Sequence, residues 1–204
     1  MNAPTTIGVL ALQGAFDAHV QHLRALEVEV RLVKTHADLE EVQGLIIPGG
    51  ESTTMSNLLV GSGLGQQLHD KIHHGFPVFG TCAGMIMMAN SIIDGRPDQI
   101  VLNAMDIQVR RNGYGRQNDS FEQDITIESF DVPFHALFIR APIIEKIGAD
   151  VEVLSTVNDH PVLVRHGSSL ASSFHPELVS DLRVHEIFVS IVKNCSFKNQ
   201  IHHR

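Results

Sequence analysis

The chain has 204 residues, of which 43% are hydrophobic and 19% are charged, and its formal net charge is −8 at pH 7. This length and composition are typical of one globular domain with a sizeable core, and they exclude a disordered chain. The acidic balance argues against a nucleic-acid-binding protein that relies on phosphate contacts, because no long basic stripe offsets it. No stretch approaches the roughly 20 apolar residues that a membrane-spanning helix needs.

Strand-like and helix-like segments alternate through the first half of the chain. The strand candidates are the apolar runs at residues 7–12, 28–33, 44–48 and 76–81. The helix candidates are residues 16–23, 38–42, 53–59, 64–74 and 85–93. Continuous apolar runs are typical of strands that are buried on both faces. This order predicts an α/β fold with a mostly parallel sheet covered on both sides and ligands at the carboxyl ends of its strands.

The second half of the chain has a different pattern. Shorter β-rich pieces between residues 100 and 173 predict antiparallel strands that are added to the same domain. A last helix is indicated by a stripe of apolar residues, namely Val184, Ile187, Phe188, Ile191 and Val192. The sequence therefore predicts a single domain over residues 1–194 and a frayed polar tail over residues 195–204.

Cys82 lies between a strand-like run that ends at Gly80 and a helix-like run that starts near Gly84. Small residues on both sides allow the sharp strand-to-helix turn that exposes a nucleophile. The helix N-terminus favours the thiolate, and the amide of Ala83 is expected to point to where an oxyanion would form. A buried structural cysteine is the alternative, and a nearby base must decide between the two. Cys195, which has no glycine turn, is interpreted as structural or incidental.

Only these two cysteines occur, far apart in the sequence. So low a count predicts free thiols in a reducing compartment. The N-terminal apolar run is short and lacks a preceding basic segment, which indicates a first strand and not a signal peptide. The sequence therefore predicts a cytoplasmic protein.

His175 and Glu177, separated by Pro176, supply a base and an acid after a strand-like stretch. In an extended segment residues i and i+2 face the same side, and the proline favours that conformation at His175. A carboxylate in this place would hold the imidazole tautomer while the other ring nitrogen faces the thiol. The predicted catalytic triad is therefore Cys82, His175 and Glu177.

Two further histidine pairs, His19 with His22 and His69 with His73, have spacings that suit metal ligands on a helix. Neither pair has a third cysteine or carboxylate ligand at a spacing that would indicate a metal site. The sequence therefore predicts no metal site, and it predicts no bound cofactor.

A glycine loop, residues 48–54 with the sequence PGGESTT, lies between a predicted strand and a predicted helix. Gly49 and Gly50 allow close backbone approach and are predicted to complete an oxyanion hole, while Ser52 or Thr53 is predicted to cap the helix. A phosphate loop is the alternative, but its characteristic lysine is absent. The glycine-rich segment 61–65 lacks the spacing of a dinucleotide fingerprint and is predicted to be a loop.

Four arginines lie in otherwise apolar or glycine-bearing β segments, namely Arg110, Arg111, Arg116 and Arg140. Arginine in such places usually pairs with a carboxylate for structural reasons. The alternative is that a guanidinium binds the α-carboxylate of a small zwitterionic substrate.

Together these segments closely resemble the glutaminase subunits of two-component pyridoxal 5′-phosphate synthases, a family of class I (triad-type) glutamine amidotransferases. The class is marked by PGG, G-x-C-x-G and HPE. The narrower family is marked by GVLALQGAF, LIIPGGESTTM, FGTCAGMI, RNGYGRQNDSFE, FIRAP and SFHPEL. The resemblance covers residues 7–193. Gly113 and the histidine-containing tail depart from the family pattern, but neither touches the triad.

The resemblance implies a three-layer α/β sandwich of flavodoxin-like topology that releases ammonia from glutamine. It makes Cys82 the nucleophile, His175 the general base and acid, and Glu177 the orienting carboxylate. The implied glutamine-binding residues are Gly50, Glu51, Ser52, Arg111, Ile139 and Arg140. The implied partner is a synthase subunit that takes the ammonia together with a pentose phosphate and a triose phosphate in a large hetero-oligomer. Docking of that subunit, in a region that includes Gln13, is implied to switch on a latent enzyme.

Three other interpretations stay open. The chain could be the glutaminase subunit of another synthase, such as one that makes a histidine or purine precursor. A catalytically silent glutamine-binding or regulatory subunit would bind glutamine without releasing glutamate. A cysteine hydrolase of the same architecture that acts on peptides or aldehydes would share the elbow cysteine, but the PGGEST and SFHPEL strings do not favour it.

Overall fold

The structure, a computed structural model, describes residues 4–111 and 120–201, with side chains described as far as residue 195. Gly113 and Arg116 lie outside the described residues. The helices are α1 (Phe16–Ala25), α2 (His36–Glu40), α3 (Ser52–Ser62), α4 (Leu64–His73), α5 (Ala83–Met88) and α6 (Arg183–Ile201), with a 3-10 helix at Pro176–Leu178. The strands are β1 (Thr6–Leu10), β2 (Glu29–Val33), β3 (Gly44–Ile47), β4 (Val78–Thr81), β5 (Ser91–Ile92), β6 (Ile107–Arg110), β7 (Ser120–Ile125), β8 (Phe134–Ile139), β9 (Ile143–Ile147), β10 (Glu152–Val157), β11 (His160–His166) and β12 (Ser169–Ser172).

The central sheet contains seven of the described strands in the order β10-β11-β12-β4-β3-β1-β2. The five strands from β12 to β2 are parallel to one another, and β11 and β10 extend the sheet in antiparallel pairing. The order β2-β1-β3-β4-β12 is that of a flavodoxin-like doubly wound sheet. The predicted mostly parallel sheet is therefore confirmed.

The remaining strands of the second half lie outside the central sheet. Within the described chain β5, β6 and β9 form one small sheet, and β7 and β8 form another. The prediction that this region adds antiparallel strands is confirmed for β10 and β11 in the central sheet. It is also confirmed for β6 with β9 and for β7 with β8, although these pairs lie in separate small sheets, because short alternating patterns specify a strand but not the partner with which it pairs.

Two hydrophobic cores cover the two faces of the central sheet. In β3, Leu45 and Ile47 contribute to the core beneath α2, α3, α4 and α5, whereas Ile46 contributes to the core beneath α1 and α6. All three side chains are fully buried, which explains why the strand needs a continuous apolar run. Burial of each such side chain contributes roughly 1.5 to 3 kcal/mol to stability. The layers are thus helix, sheet and helix, which confirms the predicted three-layer α/β sandwich.

The parallel strands β1, β3, β4 and β12 end at the same edge of the sheet, because they are neighbours that run in one direction. The segments that follow them carry Gln13, Gly49, Cys82 and His175, respectively. Adjacent strands in a sheet are about 4.8 Å apart. The fold therefore brings four segments that are distant in sequence into one small region.

The helix predicted over residues 85–93 is wrong in its second half. Helix α5 ends at Met88, and Ser91–Ile92 forms β5, which pairs with β6. The carbonyl of Met88 accepts hydrogen bonds from the amides of Ala104 and Met105 at 2.9 and 3.1 Å. A continued helix would need that carbonyl for its own ladder, so the tertiary contact ends the helix.

The glycine-rich segment 61–65 is not the predicted loop. Helix α3 ends at Ser62 and α4 begins at Leu64, so only Gly63 lies between them. Its φ of 72° lies in the left-handed region that favours glycine, which lets two helices follow one another directly.

The last helix continues to Ile201, beyond residue 194. The boundary between a domain at 1–194 and a tail at 195–204 stays a prediction. Among the described residues, no helix combines the length and the apolar character that crossing a membrane requires.

We expect Gly84→Ala to destabilise the protein by about 1 to 3 kcal/mol, because overpacking forces neighbouring atoms to shift. A Cβ on Gly84 would lie 2.0 Å from the backbone oxygen of Ile47, and backbone cannot move aside as a flexible side chain can. Urea denaturation measures the change. The matched control is Gly61→Ala in α3, where nothing lies within 4 Å of the added carbon. The control should be neutral or slightly stabilising, and an equal loss in both variants would contradict the prediction.

Candidate active site

Cys82 occupies a strained turn between β4 and α5. Its φ of 49° and ψ of −105° lie outside the conformations that a non-glycine residue usually adopts. Such backbone costs of order 1 to 3 kcal/mol and persists only where the surroundings fix it. Here the amide of Cys82 donates to the carbonyl of Ser172 at 2.8 Å, and the carbonyl of Cys82 accepts from the amide of Ile86 at 3.2 Å. The structure thus has the predicted strand-turn-helix arrangement around this cysteine.

Two glycines allow this turn to form. A Cβ on Gly80 would lie 2.6 Å from the backbone of Gly84 and 2.5 Å from the sulfur of Met88. The helix therefore folds back directly onto the end of the strand that precedes it. Cys82 itself is 7% exposed, so only a small part of its side chain is accessible.

His175 and Glu177 lie at the start of the 3-10 helix that follows β12. The Nδ1 atom of His175 is 2.7 Å from Oε1 of Glu177, and both side chains are buried. The expected extended i, i+2 arrangement is wrong, because Glu177 lies within the 3-10 helix. Pro176 occupies the first position of that helix, where its missing N–H costs nothing. The tight turn, and not an extended strand, brings the two side chains together.

The pKa of His175 reflects opposing effects. Burial lowers it, but hydrogen bonding and charge interaction with Cys82 and Glu177 outweigh burial and raise the pKa to about 10. Burial also raises the pKa of Glu177, but the hydrogen bond from His175 and the charges of His19 and His175 bring it below its usual value. Because the remaining ring nitrogen of His175 is Nε2, the interaction with Cys82 is assigned to that nitrogen. The surroundings of His175 therefore favour its imidazolium form, with Cys82 on one side of the ring and the Glu177 carboxylate on the other.

The glycine loop after β3 lies directly against this pair. A Cβ on Gly49 would lie 2.5 Å from Cε1 of His175 and 3.5 Å from Cβ of Cys82. The side chains of Cys82 and His175 are therefore both close to the Cα atom of Gly49. The carbonyl of Gly49 accepts from the amide of Ala15 at 3.2 Å. Since the N–H and C=O of a trans peptide point in opposite directions, the Gly50 amide points away from Ala15.

The cap of α3 is Glu51, so the prediction of Ser52 or Thr53 as the cap is wrong. The Glu51 carboxylate accepts from the backbone amides of Thr53 and Thr54 at 3.1 and 2.7 Å. Partial burial opposes ionisation, but these hydrogen bonds and those of the threonine hydroxyls lower the pKa of Glu51 to about 2. A longer carboxylate side chain reaches the same amides that serine usually caps.

The arginines of the β segments have different partners. An Nη atom of Arg111 lies 3.1 Å from Oε1 of Glu51, whereas Arg110 pairs with Glu145 at 2.6 Å outside this region. The guanidinium of Arg140 has no hydrogen-bond or ion-pair partner among the described residues. Arg140 also has a φ of 47°, which is uncommon for a residue with a side chain. Only Arg111 and Arg140 of these three line the pocket described next.

One pocket of about 510 Å³ contains most of the predicted site residues. The residues that line it are Ala15, Gly49, Gly50, Glu51, Ser52, Cys82, Ala83, Ile86, Arg111, Ile139, Arg140, His175 and Leu178. Glu177 lies behind His175 and does not line the pocket. The volume of the pocket lies in the range that is typical of small-molecule sites.

Several lining residues were not predicted from the sequence. Ala15, Ile86 and Leu178 have no chemical signal of their own, since each contributes only shape and apolar surface. Leu178 is 46% exposed. Its position directly after Glu177 in the SFHPEL string was the one indication in the sequence that it belongs to the site.

Gln13 lies next to the pocket without lining it. Its Nε2 atom is 3.4 Å from the carbonyl of Glu51, and a Cβ on Gly50 would lie 2.1 Å from the same nitrogen. The segment after β1, which carries Gln13, and the glycine loop are therefore in direct contact.

The described residues contain no group of three or more His, Cys, Asp or Glu side chains that could hold a metal ion. His69 and His73 lie on the exposed surface of α4 with their Nε2 atoms 3.0 Å apart. His19 is buried and lies 2.9 Å from His185. Both Cys82 and Cys195 are free cysteines.

The model of the SNO glutamine amidotransferase family matches residues 9–194. The chain belongs to this family. The pyridoxal 5′-phosphate synthase subunit PdxT of Mycobacteroides abscessus is 51% identical over 187 residues, which cover 92% of this chain and 97% of that protein. The subunit of the same name from Kosmotoga olearia is 54% identical over 184 residues, which cover 90% of this chain and 95% of that protein.

Two solved structures resemble the chain in fold. A crystal structure of a glutamine amidotransferase matches this amidotransferase with a TM-score of 0.87 at 44% identity and covers 92% of this chain and 98% of that chain. The crystal structure of a glutamine amidotransferase from Thermotoga maritima has a TM-score of 0.61 at 12% identity and covers 98% of this chain and 87% of that chain. The second likeness shows the fold alone.

We expect the stabilising effect of Glu177 to depend on pH. Because the pKa of His175 is raised from 6.5 to about 10, its protonation stabilises the fold fully below pH 6.5, and this contribution is lost as the pH rises through 10. Wild type should therefore exceed Glu177→Gln in free energy of unfolding by about 2 kcal/mol near pH 6, and by less near pH 10. Urea denaturation at both pH values measures the difference.

Glu122→Gln is the matched control for this experiment. Glu122 lies 3.3 Å from an exposed histidine, His135, so its loss should change stability by about 1 kcal/mol or less. A difference between wild type and Glu177→Gln that is equal at both pH values would contradict the prediction.

Proposed function

We propose that this amidotransferase hydrolyses L-glutamine to L-glutamate and ammonia with Cys82, His175 and Glu177 as its catalytic triad. We further propose that it does so as the glutaminase subunit of a pyridoxal 5′-phosphate synthase. The observation that carries the chemistry is that the sulfur of Cys82 and the imidazole of His175 lie at one pocket, with the Glu177 carboxylate hydrogen-bonded behind the imidazole. The names of relatives at about half identity over nearly the whole chain support the choice of synthase.

The first step is attack of the Cys82 thiolate on the side-chain carboxamide carbon of glutamine. The C–S bond forms as the C=O π bond opens, which places the negative charge on oxygen. The first amide of a helix has no partner within the helix, so the Ala83 amide is available to this oxyanion. The Gly49-Gly50 turn provides the second donor. Each such donor contributes about 3 to 4 kcal/mol to lowering the barrier.

The second step is departure of ammonia. The protonated His175 gives its proton to the nitrogen as the C–N bond breaks, which leaves a glutamyl thioester on Cys82. The imidazole then takes a proton from water, whose oxygen attacks the thioester, and glutamate leaves as the thiolate is regenerated. Glu177 holds the imidazole in the tautomer that both steps need.

Two charged groups of the pocket suit the α-carboxylate and α-ammonium of glutamine. Arg140, which lacks a partner among the described residues, is free to bind the carboxylate through a charge-assisted pair, and Arg111 lines the same pocket. The ionised Glu51 carboxylate faces the ammonium. The hydroxyl of Ser52 is buried and has no hydrogen-bond partner among the described residues, so substrate can satisfy it. Gly50 and Ile139 complete the site with their backbone.

A partner is required by the chemistry of the product. Free ammonia in neutral water is mostly ammonium, which is not nucleophilic, so delivery through a closed interface protects it. We assign the acceptor role to a synthase subunit that uses a pentose phosphate and a triose phosphate, in a large hetero-oligomer in the cytoplasm. Contact of Gln13 with the glycine loop supports activation by docking near that loop.

Substitution of Cys82 by Ala is expected to lower glutamate release from glutamine at least about a thousandfold, because the nucleophile is lost. The measurement is glutamate production by the chain with its cognate synthase and without it. Cys195→Ser is the matched control, since Cys195 is the other free cysteine and does not line the pocket; it should retain wild-type turnover. Glutamate release by Cys82→Ala at the wild-type rate would refute the nucleophile assignment.

The choice of synthase is tested in the same complex. With a pentose phosphate and a triose phosphate present, glutamine should support pyridoxal 5′-phosphate formation, and Cys82→Ala should support it only when an ammonium salt is added. If glutamate is released but no pyridoxal 5′-phosphate forms from glutamine, while the ammonium salt does support its formation, the chain serves another synthase.

Replacement of Arg111 by Gln is expected to raise KM for glutamine about tenfold or more, because a charge-assisted contact is worth about 1.5 to 3 kcal/mol. The steady-state rate of glutamate release at varied glutamine concentration measures it. Arg110→Gln is the matched control on the preceding residue, and loss of its exposed pair with Glu145 should leave KM unchanged. Equal KM values for the two variants would assign Arg111 a structural role only.

A further inference from the structure

Two histidines that the mechanism does not use are buried behind the triad. His19 of α1 and His185 of α6 are both fully buried, and Nδ1 of His19 lies 2.9 Å from Nε2 of His185. The ring of His22 stacks on His185 at a centroid distance of 4.6 Å, and its Nε2 hydrogen-bonds the carbonyl of Val179 at 2.8 Å. This cluster lies on the face of the sheet that α1 and α6 cover.

The cluster reaches the triad through His19. Oε1 of Glu177 binds His175, and Oε2 of the same carboxylate lies 3.6 Å from Nε2 of His19. Oε2 is buried and has no hydrogen-bond partner among the described residues. The hydroxyl of Thr81, directly before the nucleophile, lies 3.3 Å from the same His19 nitrogen. His19 is therefore placed at the free oxygen of the orienting carboxylate.

The protonation of the cluster follows from its burial. Burial lowers the pKa of His19 to about 4, even though the charge of Glu177 opposes this effect, and the charges of His22 and His175 lower it further. Burial likewise places the pKa of His185 well below its ordinary value, and the charges of His19 and His22 act in the same direction. At neutral pH each of the two buried rings is thus uncharged and carries one N–H.

One placement of those two protons suits the surroundings best. An ionised carboxylate accepts and cannot donate, so it favours a proton on Nε2 of His19, where the Thr81 hydroxyl can accept as well. Its Nδ1 then accepts, and His185 must donate from Nε2. That leaves Nδ1 of His185 as a bare lone pair, and this atom is the buried ring nitrogen that has no partner among the described residues. The reverse order would set a lone pair against the carboxylate and bury an unpaired N–H, which costs more.

We infer that His19 is a positioning residue of the triad, a neutral imidazole whose Nε2–H is directed at the outer oxygen of Glu177 and whose orientation is set by His185. The inference rests on the proposed function, in which Glu177 acts on His175. His19 restricts the rotation of the carboxylate and stabilises its charge. Catalytic hydrogen bonds are often long without substrate, so the 3.6 Å contact is expected to shorten in the substrate complex.

The first variant is His19→Leu, measured in the complex with the cognate synthase. We expect kcat for glutamate release to fall about 10- to 100-fold, by analogy with the loss of other orienting hydrogen bonds. KM for glutamine should be unchanged, because His19 does not line the pocket. Loss of the N–H raises the pKa of Glu177, so the acid limb of the pH profile of kcat should move up by about one unit. His19→Gln, whose side-chain amide offers an N–H near the same place, should restore most of kcat and most of the wild-type pH profile.

A second readout is independent of turnover. The carboxyl carbon of Glu177, followed by carbon-13 NMR in the isolated chain, should titrate at higher pH in His19→Leu than in wild type. The matched control is His69→Leu, which removes one member of an exposed histidine pair and should leave rate, pH profile and titration at wild-type values. If His19→Leu does not fold, His185→Leu keeps the His19 ring, removes the donor to its Nδ1, and should raise the Glu177 pKa by a smaller step.

The outcomes separate this inference from the proposed function. A folded His19→Leu or His185→Leu with an unchanged Glu177 titration and an unchanged pH profile would overturn the inference and leave the histidines a packing role. A comparable shift in His69→Leu would also overturn it. A wild-type complex that releases no glutamate would refute the proposed function alone, because the carboxyl titration is read without turnover.

Discussion

The strained backbone at Cys82 is the constraint on which the site depends. A φ of 49° at a residue with a side chain is held by the hydrogen bond from its amide to Ser172 and by the close return of α5 onto β4 at Gly80 and Gly84. Strain of this kind persists only where packing over-determines it. The two buried cores on the faces of the sheet supply that packing, so the stability of the whole domain maintains the position of one sulfur atom.

The sheet then determines which groups meet that sulfur. Neighbouring parallel strands place the glycine loop on one side of Cys82 and the His175-Glu177 turn on the other. Burial alone would leave His175 uncharged, but a thiol and a carboxylate on its two sides reverse that preference. The folded state therefore favours a protonated imidazole beside Cys82, and the proposed mechanism uses that imidazole as its proton donor without rearrangement.

The sequence sufficed for features that are local. The strand-turn-helix around Cys82 and the spacing of His175 and Glu177 are each carried by a few consecutive residues, and the alternation of apolar runs indicated the three layers. Features that depend on tertiary contact were missed. The carbonyl that ends α5 at Met88, the pairing of the small sheets, and the approach of His19 to Glu177 all join residues that no local pattern connects. Glu51 as a helix cap was missed because serine and threonine are the usual caps.

The central claim is that the sulfur of Cys82 carries the glutamyl group during turnover. Its most direct test is mass spectrometry of the complex with its synthase, quenched in acid during steady-state hydrolysis of glutamine. The account predicts a γ-glutamyl thioester on the peptide that contains Cys82, and none on the peptide that contains Cys195. Glutamate release without any acylated Cys82, under conditions where an authentic glutamyl thioester survives the quench, would contradict it.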